Sequence, residues 1–275
     1  MAKILVFDSG VGGLSILQAI QSHKDIDAFA HQWLFCSDNE FFPYGTKSEI
    51  ELIDRVRRVL RAVAEQYQPD IIVIACNTAS TVALDAVRAE LSVPIIGVVP
   101  AIKPAALLSK TRSIGLLATP GTIKRNYTQQ LITDFASDCH ITLLGSTDLV
   151  EMAEDFLRTG RMDKQQLADI LAPLSEAIRN HQLDSVVLAC THFPLLIDAL
   201  KDVLPEVSYW VDSGDAIARR VIWCLNTLPD KKIPVEDDAQ NGCIAFFTRH
   251  DETAEALGNT LVRFRLKRIA QLNLR

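Results

Sequence analysis

The chain has 275 residues, 48% of them apolar and 23% charged, with a net charge of -6 at neutral pH. That length supports one large or two modest domains, and the acidic balance argues against an electrostatic footprint for nucleic acid. Apolar runs such as Ile71 to Ala75 break off long before the roughly 20 residues a membrane span needs. The amino terminus enters an apolar stretch directly after Met1-Ala2-Lys3, with no cleavable-signal pattern, so a cytoplasmic protein is expected.

Short apolar strands alternate with longer helical segments, the pattern of a parallel sheet with helices on both faces. Strands are predicted over 3–7, 33–36, 70–75, 95–98, 113–118, 141–144, 185–188 and 209–211, with a last one near 243–248. Helical periodicity marks 48–66, 78–90, 121–135, 164–180 and 214–226. Basic residues cluster at Arg55, Arg57, Arg58 and Arg61 and again at Arg263, Arg265, Lys267 and Arg268. Both clusters read as solvated faces of helices.

An internal echo points to two related halves. The segment Asp70-Ile-Ile-Val-Ile-Ala-Cys-Asn-Thr78 parallels Asp184-Ser-Val-Val-Leu-Ala-Cys-Thr-His192, placing Cys190 114 residues after Cys76. A weaker echo sets Ile4 to Ser9 against Ile114 to Thr119, 110 residues on. Similar offsets at two strand-to-loop junctions suggest a duplicated α/β unit. Proline-marked stretches at Val99 to Pro104 and Leu204 to Asp212 are the expected crossings. The predicted domains are therefore 1–98 with 208–275, and 99–207 between them.

In open α/β sheets, ligands bind beyond the carboxyl ends of the strands. Five such ends carry polar residues: Asp8-Ser9-Gly10-Val11-Gly12-Gly13, Ser37-Asp38 followed by Pro43-Tyr44-Gly45, Cys76-Asn77-Thr78-Ala79-Ser80, Thr119-Pro120-Gly121-Thr122, and Cys190-Thr191-His192-Phe193-Pro194. The glycine loop is neither a complete GxGxxG nor a phosphate loop, since no Lys-Ser/Thr follows it. Its backbone N–H groups suit a small carboxylate. No arginine lies in the five junctions, so neutral donors are expected to hold the ligand's carboxylates.

Six cysteines occur with no CxxC pair, and Cys36, Cys139, Cys224 and Cys243 read as ordinary small hydrophobes. Cys76 and Cys190 each follow an apolar strand and precede helix-capping side chains. A thiol near a helix N-terminus is shifted toward thiolate, which suits a general base. Two such thiols at matching points of a repeat fit stereoinversion at carbon. One group removes a proton from one face, the other supplies a proton to the opposite face, and the roles exchange in reverse. Two core cysteines, a redox pair, or a zinc site from Cys76, Cys190 and His192 are the alternatives, although the zinc set lacks the usual ligand spacing. His192 alone fits a structural hydrogen-bonder or an acid/base helper equally.

These motifs, in order, resemble those of the glutamate racemases within the aspartate/glutamate racemase superfamily: DSGVGG from Asp8, PYG from Pro43, ACNTAS from Ala75, ATPGT from Ala118 and CTHFPL from Cys190. The resemblance covers nearly the whole chain. It departs at Ala189, commonly glycine, and at Phe193, commonly tyrosine. It implies two pseudo-symmetric α/β domains with the active site in the cleft between them, and racemisation of glutamate without cofactor or metal. Cys76 would act on the D isomer and Cys190 on the L isomer. Asp8 and His192 would assist proton transfer, and Glu151 would correspond to a catalytic loop glutamate. Asp8, Ser9, Tyr44, Gly45, Asn77, Thr78, Thr119, Thr122, Thr191 and His192 would bind substrate. Asn77-Thr78-Ala79-Ser80 and Thr191-His192 fit glutamate better than aspartate. The product would feed peptidoglycan synthesis, and hence cell-wall biogenesis and cell shape. A homodimer and an allosteric cell-wall precursor are candidate partners, nucleic acid and membrane are not, and the alternative functions are an aspartate or related amino-acid racemase, or a partner-binding regulatory role such as gyrase inhibition on the same scaffold.

Overall fold

The structure is a computed structural model that describes residues 1–28, 30–228 and 243–274. The chain divides into two compact units, residues 1–98 with 214–275, and residues 99–213. In chain order, the first stretch runs β1 (Lys3–Asp8), α1 (Gly13–Gln21), β2 (Gln32–Ser37), α2 (Glu49–Tyr67), β3 (Ile71–Ile74), α3 (Asn77–Glu90) and β4 (Ile95–Gly97). The second unit runs α4 (Ile102–Leu108), β5 (Ser113–Ala118), α5 (Pro120–Lys124), α6 (Asn126–Phe135), β6 (His140–Gly145), α7 (Asp148–Thr159), α8 (Lys164–His181), β7 (Ser185–Ala189), α9 (Ile197–Val203) and β8 (Tyr209–Val211). The chain then returns with α10 (Gly214–Thr227), β9 (Ile244–Phe247), α11 (Glu252–Glu255), α12 (Gly258–Arg263) and β10 (Arg268–Gln271).

Among the described residues every strand pairing is parallel, in the orders β10-β9-β2-β1-β3-β4 and β6-β5-β7-β8. The run β2-β1-β3-β4 and the run β6-β5-β7-β8 are the same topology, so the sequence echo is a repeat of the fold. In each, the chain leaves the central strand to one side and returns on the other. The crevice at that reversal lies between β1 and β3 in the first unit and between β5 and β7 in the second.

The central strands β1, β3, β5 and β7 are buried almost throughout, which is why they read as continuous apolar runs rather than alternating ones. In the first unit α2 and α3 cover one face of the sheet over a core that includes Leu5, Phe7, Ile72, Ile74, Leu52 and Val59. α2 begins with a capping box, in which Ser48 and Glu51 each bond the other's backbone N–H, and ends at Gln68 in the left-handed conformation. In the second unit α4 packs on β5 and β7 through Ile102, Ala105, Ile114, Leu116 and Val187.

Three expectations change. The return to the first unit comes at Gly214 rather than residue 208, because β8 pairs with β7 and residues 208–213 belong to the inserted sheet. The helix expected over 121–135 is broken at Arg125, whose extended backbone (ψ 136°) separates α5 from α6. The basic stretch from Arg263 to Arg268 is not one helix: α12 ends at Arg263 and Arg268 opens β10.

Candidate active site

In the first unit β1 delivers Asp8 and Ser9, and β3 delivers Cys76, to the same crevice. Asp8 is fully buried, and its Oδ1 accepts from the Gly10 N–H at 3.0 Å. The glycine loop thus curls around the Asp8 carboxylate. Gly13 allows α1 to start there, since a Cβ at this position would meet the Asp8 Cβ at 2.8 Å. The Ser9 hydroxyl lies 3.8 Å from the Cys76 sulfur. Cys76 is the N-cap of α3 and stands at the positive end of a 14-residue helix with no acidic residue in its first turn. The helix N-terminus contributes positive potential at that sulfur.

Ser80 locks that junction, donating to the Ile74 carbonyl at 2.8 Å and accepting from the Val98 N–H at 3.0 Å. Asn77 and Thr78 are buried in the first turn of α3, and the Asn77 Oδ1 has no hydrogen-bond partner among the described residues. A buried acceptor of this kind calls for a donor from a ligand.

Tyr44 differs from expectation. Its side chain is fully buried, and its hydroxyl donates to Asp38 Oδ2 at 2.6 Å. Burial, then the Asp38 charge, push the phenol pKa well up. What Tyr44 and Gly45 can offer a ligand is their backbone, in a 3₁₀ turn packed against α3.

In the second unit Cys190 follows β7, the counterpart of β3. Its surroundings are not those of Cys76, because the next residues form a 3₁₀ turn, Phe193–Leu196, ahead of the short α9. The neighbour here is an imidazole. The Cys190 sulfur lies 3.6 Å from His192 Nδ1, and His192 Nε2 lies 2.8 Å from Glu154 Oε1. The other Glu154 oxygen accepts from Arg158. Burial works against a charged His192, but its bonds to Cys190 and Glu154 outweigh that and raise its pKa well above the ordinary value. Thr191 is buried beside them. At the end of β5, Thr119 caps α5 by accepting from the Thr122 N–H at 3.1 Å, and its hydroxyl donates to that of Thr122 at 3.0 Å.

The structure brings Asp8, Ser9, Asn77 and Thr78 to the crevice of Cys76, and Thr191 and His192 to that of Cys190. It does not bring Glu151 to His192. Glu151 is on the exposed face of α7, while Glu154, one turn further, is buried and makes the contact. Arg55 is not on a solvated face either. It is buried and paired with Asp38. Glu154 had a sequence signal: it lies four residues after Val150, on the apolar stripe of a strongly amphipathic helix.

A crevice carrying a thiol at the end of the same strand in two copies of one fold defines a class. Residues 4–221 match the Asp/Glu/hydantoin racemase family, and the chain belongs to it. A glutamate racemase of Shewanella sp. (strain ANA-3) is 48% identical over 260 residues, covering 94% of this chain and 92% of its own. One from Actinobacillus pleuropneumoniae serotype 3 (strain JL03) is 43% identical over 270 residues, with 98% of each chain covered. The crystal structure of Escherichia coli glutamate racemase with L-glutamate and the activator UDP-MurNAc-ala matches with a TM-score of 0.90 at 43% identity, covering 100% of this chain and 99% of that one.

Proposed function

We propose that the protein interconverts L- and D-glutamate by a two-base proton transfer between Cys76, Cys190 and the α-carbon. The observation that carries this reading is the pair of buried thiols, one at the end of β3 and one at the end of the equivalent β7, each with its own polar surroundings. The relatives named above supply glutamate as substrate.

From the D isomer, Cys76 as thiolate takes the α-proton while Cys190 as thiol gives its proton to the opposite face. Reversal begins with the roles exchanged. An amino acid's α-proton is far less acidic than a thiol, whose ordinary pKa is about 8.5. Charge developing on the substrate carboxylate must therefore be met by fixed donors, and Ser9, Thr78, Thr191 and the backbone of the Tyr44–Gly45 turn are the candidates. The unpartnered Asn77 Oδ1 suits the substrate ammonium. Asp8 serves beside Cys76 and His192 beside Cys190. Glu154, rather than Glu151, holds His192 in its charged, oriented form.

The product fits peptidoglycan synthesis in a bacterial cytosol, and a cell-wall precursor is the class of effector to try, as in the Escherichia coli neighbour. Among the described residues no helix is long and apolar enough to cross a membrane.

The test is incubation with L-glutamate in D2O after chelation, with no cofactor added. Loss of optical activity with deuterium at the α-carbon is expected, and no exchange with either enantiomer would remove the proposal. Cys76→Ala and Cys190→Ala should each lower turnover by at least about 10²-fold. Near-normal turnover in either variant rules out the two-base mechanism.

A further inference from the structure

Asp38, just beyond β2, is fully buried and accepts four hydrogen bonds. They come from Arg55 Nε at 2.8 Å, Arg55 Nη2 at 2.6 Å, the Tyr44 hydroxyl at 2.6 Å and the Thr248 hydroxyl at 2.8 Å. Its own N–H donates to the Asp8 carbonyl at 2.9 Å. Arg55 comes from α2, where it stands among core-facing Leu52, Val56 and Val59, and its Nη2 also reaches Glu40 at 2.7 Å. Burial opposes its charge, but the bonds to Asp38 and Glu40 raise its pKa.

Two ordinary explanations fit this cluster poorly. Stability alone does not ask for it, because well-packed apolar residues in place of a buried ion pair often leave a protein as stable or more so. Attraction of an anionic substrate does not ask for it either, since one cation is set against two carboxylates. What a bidentate guanidinium–carboxylate pair supplies is direction. Here that direction passes to the Tyr44 hydroxyl. The Tyr44 ring belongs to the same core cluster as Cys76, Ala79 and Phe7, and the turn it begins, Tyr44–Thr46, packs against α3.

We infer that Asp38 and Arg55 are positioning residues for the reaction: through the Tyr44 hydroxyl they fix the Tyr44–Gly45 turn beside the N-terminus of α3, so that its backbone meets a substrate carboxylate. This role rests on the function proposed above. Neither residue touches substrate, and neither moves a proton.

The test measures KM and kcat for both glutamate enantiomers in wild type, Tyr44→Phe, Arg55→Lys and, as a control on the same helix, Arg57→Ala. Arg57 pairs with Glu90 at 2.8 Å, away from this cluster. Phenylalanine removes only the hydroxyl, and lysine keeps the charge while losing the fork. A group that binds ground and transition states alike shows in KM and not in kcat. KM should rise about five- to tenfold in Tyr44→Phe and Arg55→Lys, with kcat within about twofold of wild type and Arg57→Ala unchanged. Tyr44→Phe is nearly isosteric and carries the test should Arg55→Lys fail to fold. Unmoved KM values, or a fall in kcat without a rise in KM, overturn the positioning role while leaving the function standing. No turnover by the wild type removes both.

Discussion

Glu151 and Glu154 lie three residues apart on α7, and burial decides between them. Only Glu154 reaches His192. Glu154→Gln should therefore cut turnover by on the order of tenfold or more, while Glu151→Gln stays within about twofold. Steady-state kinetics of the two variants separates them, and equal losses would show that the contact is irrelevant. The pair also has a pH signature. The raised pKa of folded His192 adds stability that is fully present below the unfolded value of about 6.5 and is lost as pH rises through the folded value. Urea unfolding of wild type and Glu154→Gln should show a stability gap that narrows as pH is raised above about 6.5. A gap that widens would mean that His192 is held neutral. At this scale the residues proposed to act on substrate stand out in the sequence because strand ends carry them in short polar runs. Their supports were harder to read: Arg55 and Thr248 reach Asp38 through tertiary packing that no spacing along the chain announces, and Glu154 shows only as a carboxylate on the apolar stripe of α7.

The aspartates that open the two echoed segments explain themselves as parts of elements. Asp70 accepts from the Lys3 N–H at 2.8 Å, and Asp184 accepts from the Ser109 hydroxyl at 2.6 Å and the Lys110 and Thr111 N–H groups at 2.8 and 3.1 Å. Both tie down the starts of strands, at the end of the sheet opposite the thiols. Burial opposes the Asp184 charge, but these donors outweigh it and lower its pKa. Its stabilisation is thus present above about 3.9 and lost as pH falls through the lower folded value. Asp184→Ala should cost on the order of 2–3 kcal/mol by denaturant unfolding at neutral pH with kinetics intact. A loss below about 0.5 kcal/mol would show the three bonds to be replaceable by water. The central strands were legible because double-sided burial leaves unbroken runs of Ile, Val and Leu, whereas the half-exposed β10, opening on Arg268, was not. α1 was missed because it is short and Leu14, Ile16, Leu17 and Ile20 are buried around much of its circumference, leaving Gln18 as its one exposed position.

For the whole molecule, the equivalence of β2-β1-β3-β4 and β6-β5-β7-β8 was legible only as two faint echoes, since a repeat keeps its topology long after its side chains diverge. The placement of β8 was not legible, because three residues of strand are assigned by their partner rather than by their composition. If one substrate molecule is held by residues of both units, as proposed, ligand linkage should reach both. Glutamate at about 100 times its Kd adds about 2.7 kcal/mol. Hydrogen exchange should slow in peptides around β3 and α3 and also in those following β7. Slowing confined to one unit would contradict shared binding.

The two thiols occupy equivalent strand ends but keep different company, a helix terminus for Cys76 and an imidazole–carboxylate pair for Cys190. Enantiomers have equal free energies in water, so the equilibrium constant for their exchange is one whatever the enzyme does. Under the proposed mechanism kcat/KM must then be the same in both directions. The unlike surroundings can show only as unequal kcat values, each matched by an equally unequal KM. Divergence between the two copies of the fold was thus free to tune how firmly each enantiomer is held, but never how much of each accumulates.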